Sequence, residues 1–382
     1  MNGTGNTSRL TIILLIDALG WDIARRFGFC KALLPRSGPL GTVLGYSSAA
    51  IPSLLTGTPP SVHGAWAMYK FAPEKSPFRL LRRLPRVPHA LEWRLRMLTR
   101  WVIERRRTIE GYYDLYDIPL NVLGYFDVAH RGDPYAPEGI GQESFFDRLA
   151  KEGVSFDLWT YRTPERDNFE ALRRSIDSPK SVLFLYTAEL DAIMHRVGTA
   201  HHDVEEKLRE YEQRVEALLD TAASKGRETT LFLFSDHGMT DVTTVVDLRA
   251  RVKTWGYKDG RDFIAFYDST MARFWCKAGI REGLVRRLDG TGWGRVLEAG
   301  ELEALGCRFA DDRYGEVIFL VKTGHLILPS YMGRDALSAM HGYHPGDPSS
   351  WGCFFTNDAI HEIPGSILDL KAFLIDHVVG RA

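Results

Sequence analysis

The chain has 382 residues, 45 % of them hydrophobic and 25 % charged, an ordinary globular composition that can enclose a site without disulfides. A net charge of −1 excludes a global field that would draw nucleic acid, so no specific nucleic-acid partner is expected. Four scattered cysteines (Cys30, Cys276, Cys307, Cys353) with no CxxC pair argue against a cysteine zinc site, a redox motif or a disulfide framework.

The start, MNGTGNTSRL, leads into an apolar run too short to span a bilayer. It has no basic beginning and no small-residue cleavage site. No stretch of about 18 uninterrupted apolar residues follows elsewhere. The expectation is therefore a cytoplasmic protein without signal peptide or transmembrane helix.

Residues 10–16 (LTIILLI) read as a buried parallel strand that ends in Asp17. Residues 44–64 (LGYSSAAIPSLLTGTPPSVHG) place Ser47 and Ser48 just before an expected helix over 49–55, with His63 as a structural turn residue. Residues 70–107 hold twelve Lys/Arg against three Glu, a net +9 in a chain that is −1 overall. Leu91, Trp93, Leu95, Met97, Leu98 and Trp101 suggest an amphipathic helix within that segment. Residues 154–161 are a second strand, and 163–177 a helix with Thr163 as cap and Pro164 at its first position. A strand over 181–187 leads to Asp191 and His195, a helix covers 204–225, and a strand over 229–235 runs into Asp236 and His237. Near the end, HGYHPGD (341–347) reads as a loop carrying His341 and His344.

Strands alternating with helices predict an α/β fold, doubly wound, with a mostly parallel central sheet covered on both faces. We divide the chain into one α/β core (about 1–66, 145–245 and 336–382), a basic cap insertion at about 67–144 and a second insertion at about 246–335. Ligands of such sheets bind beyond the carboxyl ends of the strands. Three expected strands run directly into ionisable residues there.

The spacing D-x-x-x-H of Asp191 and His195 can put both side chains on one helix face, suited to a cation; the bland reading is a surface pair. Asp236-His237-Gly238 sets a carboxylate and an imidazole at a strand tip, against the alternative of a helix cap and a satisfied histidine. Either His341 or His344 could ligate, the other being structural or touching substrate. Asp17 alone could be a helix cap. Together Asp17, Asp191, His195, Asp236, His237 and His341 offer mixed O/N donors for two divalent ions, zinc suiting them best and manganese next. Two metals about 4 Å apart can clamp both oxygens of an in-line phosphoryl displacement. Ser47 or Ser48, at a helix start, could be the attacking hydroxyl, or both could merely cap that helix.

These pieces resemble the alkaline phosphatase superfamily, and within it the type I phosphodiesterase/nucleotide pyrophosphatase branch. The matching stretches are IDALGWD (16–22), SSAAIPSLLTGTPPSVHG (47–64), LDAIMHRVG (190–198), SDHGMTD (235–241) and HGYHP (341–345), in an order that spans nearly the whole chain. The resemblance implies an alkaline-phosphatase-like core and a phosphoric ester hydrolase. It implies Asp191, His195 and His341 around one zinc, and Asp17, Asp236, His237 and the nucleophile around the other. Counting back nine residues from Thr56 places that nucleophile on Ser47, with Ser48 as fallback. It further implies a covalent intermediate hydrolysed by water.

There are departures. Many relatives carry Thr where this chain has Ser47 and Pro where it has Ala49. The Asn that follows HG in nucleotide pyrophosphatases is absent from HGAWAMYK, Met68 lying near its place. The CxPxR-like motif of sulfatases is absent too. The substrate is expected to be a small phosphate ester or diester, touching Tyr46, Ser48, Trp66, Tyr69 and His344. The alternatives are a phosphomutase or phosphotransferase on the same core, or a non-catalytic metal-binding protein. The basic 70–107 segment is read as a possible peripheral contact with an anionic membrane or a grip on a polyanionic substrate, against a plain solvated helix face.

Overall fold

The structure, a computed structural model, describes residues 9–84 and 89–380. The N-terminal stretch up to residue 8, residues 85–88 with Arg86 of the basic segment, the side chains of His89 and Ala90, and residues 381–382 lie outside the description.

Six strands make the central sheet: β1 (Arg9–Ile16), β2 (Arg36–Leu40), β3 (Phe156–Trp159), β4 (Val182–Thr187), β5 (Glu228–Phe234) and β6 (Gly352–Thr356). Their order is β2-β6-β5-β1-β4-β3. β5, β1, β4 and β3 run parallel, while β6 lies antiparallel between β2 and β5. β1 reads as a continuous apolar run because helices cover both faces. Alternate side chains enter opposite cores. Ile13 and Leu15 join Leu54, Leu149 and Leu374, from helices Ser47–Thr56, Phe145–Lys151 and Leu370–Val379. Ile12, Leu14 and Ile16 join Ile23, Leu172, Met194 and Leu208, from helices Trp21–Phe27, Glu165–Ser175, Glu189–Val197 and His202–Ser224.

The expected strands all form, with ends shifted by a residue or two. Two boundaries differ for physical reasons. Ser47 and Ser48 are the first two residues of their helix, and Tyr46 is its N-cap without a side-chain bond, so neither serine caps it. Pro164, not Thr163, holds the cap position of Glu165–Ser175, and the Thr163 carbonyl accepts instead from Asn168 Nδ2 (3.1 Å). β2 and β6 were not expected: RSGPL contains the two residues that most weaken a strand signal, and GCFFT is short.

Smaller sheets form outside the central one. Strand Tyr69–Phe71 pairs with Phe126–Val128, and Phe263–Tyr267, Met271–Cys276, Val317–Val321 and Gly294–Val296 form a four-stranded antiparallel sheet in that order. The two pieces share a core. Phe71 stacks on Trp275 at 5.0 Å and Phe126 packs edge-on against Phe266 at 4.9 Å. The fully buried Arg273 ties them polarly, pairing with Asp268 (2.8 Å) and donating to the Tyr69 carbonyl (2.8 Å). Among the described residues no helix is long and apolar enough to cross a membrane, and all four cysteines are free thiols.

Candidate active site

β5, β1 and β4 are neighbours in parallel register, so the residues that follow them emerge side by side. After β1, Ala18 adopts a left-handed conformation (φ 63°), which turns the chain sharply behind Asp17. After β5, Gly238 lets the turn pass against the 349–351 segment, where a Cβ would stand 2.2 Å from the Ser349 carbonyl oxygen. After β4, helix Glu189–Val197 carries Asp191 and His195 one turn apart. His341 follows a short strand, Ala339–Met340, that pairs with Thr240–Asp241. Gly342 (φ 87°) then turns the backbone past the Tyr46 ring, where no side chain fits.

Two donor sets result, each offering three ligand atoms within 4.8 Å of one another. The deep set is Asp17, Asp236 and His237, with His237 Nε2 3.3 Å from both Asp17 Oδ1 and Asp236 Oδ2. The outer set is Asp191, His195 and His341, with Asp191 Oδ1 3.3 Å from His195 Nε2 and 3.6 Å from His341 Nε2. The sets meet where the His237 and His341 rings stack at 3.9 Å. His237 Nδ1 donates to the Gly238 carbonyl (3.0 Å) and His195 Nδ1 to that of Ala339 (2.8 Å). Both Nε2 atoms are thereby left as acceptors facing the site.

Buried acceptors crowd here without donors. Asp17 Oδ1, Asp236 Oδ2, Asp191 Oδ1 and His341 Nδ1 have no hydrogen-bond partner. Burial, then the charges of Asp236 and Asp191, hold the Asp17 carboxyl well above its usual range. Burial raises Asp236 likewise. Burial, then His237 and His195, push His341 well below the usual imidazole range. Burial opposes protonation of His195 as well, but Asp191 and the Ala339 carbonyl outweigh it and raise that imidazole. Orphaned carboxylate oxygens in dry surroundings are costly unless a cation completes them, so the donor chemistry fits divalent metal.

Ser47 Oγ lies 3.0 Å from His237 Nε2, and since that nitrogen accepts, the hydroxyl donates. Ser47 is the first residue of its helix; the N–H groups of Ala49 and Ala50 bond the Tyr46 carbonyl, and the positive end of the helix dipole lies at Ser47. His63 supports this helix from below. It accepts from Ala65 N–H (3.2 Å) through Nδ1, so its Nε2 donates to Ser53 Oγ (2.9 Å). Burial, then His130, holds its pKa down to about 3, a neutral structural histidine.

A cavity of about 410 Å³ opens over the pair of sets, lined by Asp17, Ser47, Asp191, His195 and His341 among others. Tyr46, Ser48 and Tyr69 also line it. The hydroxyls of both tyrosines are engaged elsewhere, Tyr46 with Thr270 and Tyr69 with the Asp114 carbonyl, so they present rings. Trp66 and His344 do not join it. Trp66 is fully buried in the core with its indole N–H on the Leu44 carbonyl (2.7 Å), and His344 is drawn away to Glu301 (3.1 Å).

The sequence reading missed several residues that the structure brings in. Tyr186 on β4 donates to Asp17 Oδ2. Tyr135 stacks on Tyr186 at 5.8 Å, and its buried hydroxyl has no partner. His130 lines the same cavity with Nε2 unpartnered. No spacing marks them; only the tyrosine in YTAELD, beside a strand end, gives a weak hint.

Comparison with known proteins agrees with this architecture. The family model for type I phosphodiesterase/nucleotide pyrophosphatase matches residues 11–287. No curated protein matches the sequence. Among solved structures the chain is similar to murine ectonucleotide pyrophosphatase/phosphodiesterase 5, at 15 % identity and a TM-score of 0.66, covering 97 % of this chain and 95 % of that one. The human counterpart is similar at 14 % identity and 0.65, with the same coverage. An inactive variant of the murine protein, in complex with AMP, is similar at 16 % and 0.62 over the same shares. Members of this family are metal-dependent and act on small phosphate esters. With its family match covering most of the sequence and the fold shared end to end, the chain belongs to the type I phosphodiesterase/nucleotide pyrophosphatase family and is a phosphoric ester hydrolase.

Proposed function

We propose that the chain cleaves phosphate diesters or monoesters through a covalent phosphoseryl intermediate on Ser47, with two divalent cations, zinc in preference to manganese, in the paired donor sets. The observation that carries this reading is Ser47 Oγ at 3.0 Å from His237 Nε2, at a helix start beside the place where the two sets meet. Asp191, His195 and His341 would hold one cation, and Asp17, Asp236, His237 and Ser47 the other. Bound there, the cations neutralise the clustered carboxylates, lower the pKa of the Ser47 hydroxyl and withdraw charge from the phosphate.

Ser47 gives its hydroxyl proton to solvent water, and its Oγ attacks phosphorus while the bond to the leaving oxygen breaks on the opposite side. The leaving alkoxide takes a proton from water. A water then attacks the phosphoserine, the P–Oγ bond breaks, and the proton released by that water restores the Ser47 hydroxyl. The first N–H groups of the Ser47–Thr56 helix stabilise charge on the phosphoryl oxygens. Tyr135 takes the part of the missing Asn after HG. Burial, then Asp17 and Asp236, keep its phenol well above the usual range, hence protonated and able to donate. Tyr46, Ser48 and Tyr69 contact the substrate from the wall. We keep the division into one core (about 1–66, 145–245, 336–382) and two insertions (about 67–144 and 246–335) as part of the same proposal.

The test is hydrolysis of bis-p-nitrophenyl phosphate by the zinc-loaded protein. Ser47→Ala should lose about 10³-fold or more of kcat, the scale of removing a nucleophile, while Ser48→Ala, which keeps the nucleophile and loses only a wall contact, should lose far less. Full activity of Ser47→Ala would remove that residue from the role.

A further inference from the structure

Helix His89–Arg105 is inside out by the usual pattern. Its charged residues Glu92 and Arg96 are turned inward, where Arg96 pairs with Glu92 (3.0 Å) and donates to the carbonyls of Leu115 (3.2 Å), Tyr116 (2.7 Å) and Ile118. Arg100 likewise pairs with Asp114 (3.0 Å). Leu95 and Ile103 pack against the core, but five other large apolar residues face solvent: Trp93 is 61 % exposed and Trp101 58 %, with Leu91, Met97 and Leu98 about half exposed beside them. These five are half of the ten exposed large hydrophobics among the described residues. Monomeric proteins keep such contiguous apolar faces where something covers them.

The charge around the face identifies what covers it. Arg94 and Arg105 stand exposed on the same side of the helix, followed by exposed Arg106 and Arg107, with Glu104 the one acidic side chain among them. An exposed apolar stripe with two tryptophans, interspersed with arginines and followed by more of them, has the chemistry of an interfacial helix on an anionic bilayer: indoles at the headgroup level, guanidinium groups on the phosphates. We infer that this helix docks the protein on anionic lipid membranes. The docking element also lies next to the cavity, because Arg96 holds the carbonyls of Leu115, Tyr116 and Ile118, Arg100 holds the Asp114 carboxylate, and Tyr112 and Tyr116 line the cavity. A docked molecule thus presents its cavity mouth close to the lipid surface.

The test uses the full-length, metal-loaded protein and vesicles of phosphatidylcholine alone or with phosphatidylserine. Wild type should co-sediment with the phosphatidylserine vesicles and be released by high salt. The double variants Trp93→Ser/Trp101→Ser and Arg94→Glu/Arg105→Glu should each bind about tenfold or more weaker. Both should keep wild-type hydrolysis of bis-p-nitrophenyl phosphate in solution, which also shows that they fold. Should the tryptophan variant misfold, the arginine variant and the salt release decide alone. Absence of wild-type sedimentation, or equal sedimentation by wild type and folded variants, would overturn the inference. So would a dimer in solution that dissociates in the tryptophan variant without any vesicle binding, because a second copy would then be the cover.

Discussion

The two donor sets differ in depth, in charge and in how they are held. Asp17, Asp236 and His237 are 3 %, 0 % and 3 % exposed, whereas in the outer set only His341 is buried and Asp191 and His195 are half-buried. The deep set has two carboxylates for one imidazole, the outer set one carboxylate for two. The deep carboxyl Asp17 is oriented by a side chain, Tyr186, and the outer imidazole His195 by a backbone carbonyl, that of Ala339. Two adjacent carboxylates excluded from water repel each other and lack compensation. The deep set therefore depends more strongly on its cation than the outer one does, and it is also the set that touches Ser47.

This contrast is best broken by removing one carboxylate charge from each side. Asp236→Asn should lower kcat by about 10³-fold and remove close to one bound zinc per chain. Asp191→Asn should cost less, about 10²-fold, because two imidazoles remain and the site is open to water. Metal content by mass spectrometry and bis-p-nitrophenyl phosphate kinetics measure both. Equal losses, or a heavier loss in the outer variant, would contradict the assigned depth order.

The donors themselves could be read from the sequence, but not the asymmetry between the two sets. Parallel strands buried on both faces appear as unbroken apolar runs, so Asp17, Asp191 and Asp236 stood out as charges at strand ends. The helical spacing of Asp191 and His195 carried over directly into geometry. What could not be read is partnership. Tyr186 and Tyr135 look like core tyrosines until the fold shows one donating to Asp17 and the other unpartnered in the cavity. Trp66 was expected to touch substrate, yet it is buried in the core and its indole N–H has an internal acceptor. The amphipathic period of 89–105 was visible, but which face is covered depends on the carbonyls of 115–118 that Arg96 meets, and no local pattern announces those. β2 and β6 escaped because Pro, Gly and short length mask edge and antiparallel strands.

Tyr135 sharpens the comparison from the cavity side. If its free hydroxyl meets the phosphate oxygen, Tyr135→Phe should reduce kcat by about 10²-fold, the scale of losing one preorganised donor. Zinc content and KM should stay close to wild type, since the phenol touches the transition state more than the ground state. A variant that loses zinc instead would make Tyr135 a support of the deep set.

The mildest change, Tyr186→Phe, probes how the deep set is oriented without touching its charges. The phenol donates to Asp17 Oδ2, which leaves Asp17 Oδ1 aimed at His237 and the site. Without that bond the carboxylate can rotate, and a buried oxygen loses its donor. Loss of such an orienting partner typically weakens metal affinity by about 10- to 100-fold. The ring itself fills the core and stacks on Tyr135, so Phe preserves the packing and thermal stability should change little. The outer set has no counterpart to lose, because the Ala339 carbonyl persists whatever side chain stands there. In a competition titration with a zinc chelator, wild type and Tyr186→Phe should therefore share the outer-site affinity and differ only in the deep one, with activity returning at higher zinc. A shift in both affinities would mean that the two sets act as one cooperative centre and that their separation by depth has no functional meaning.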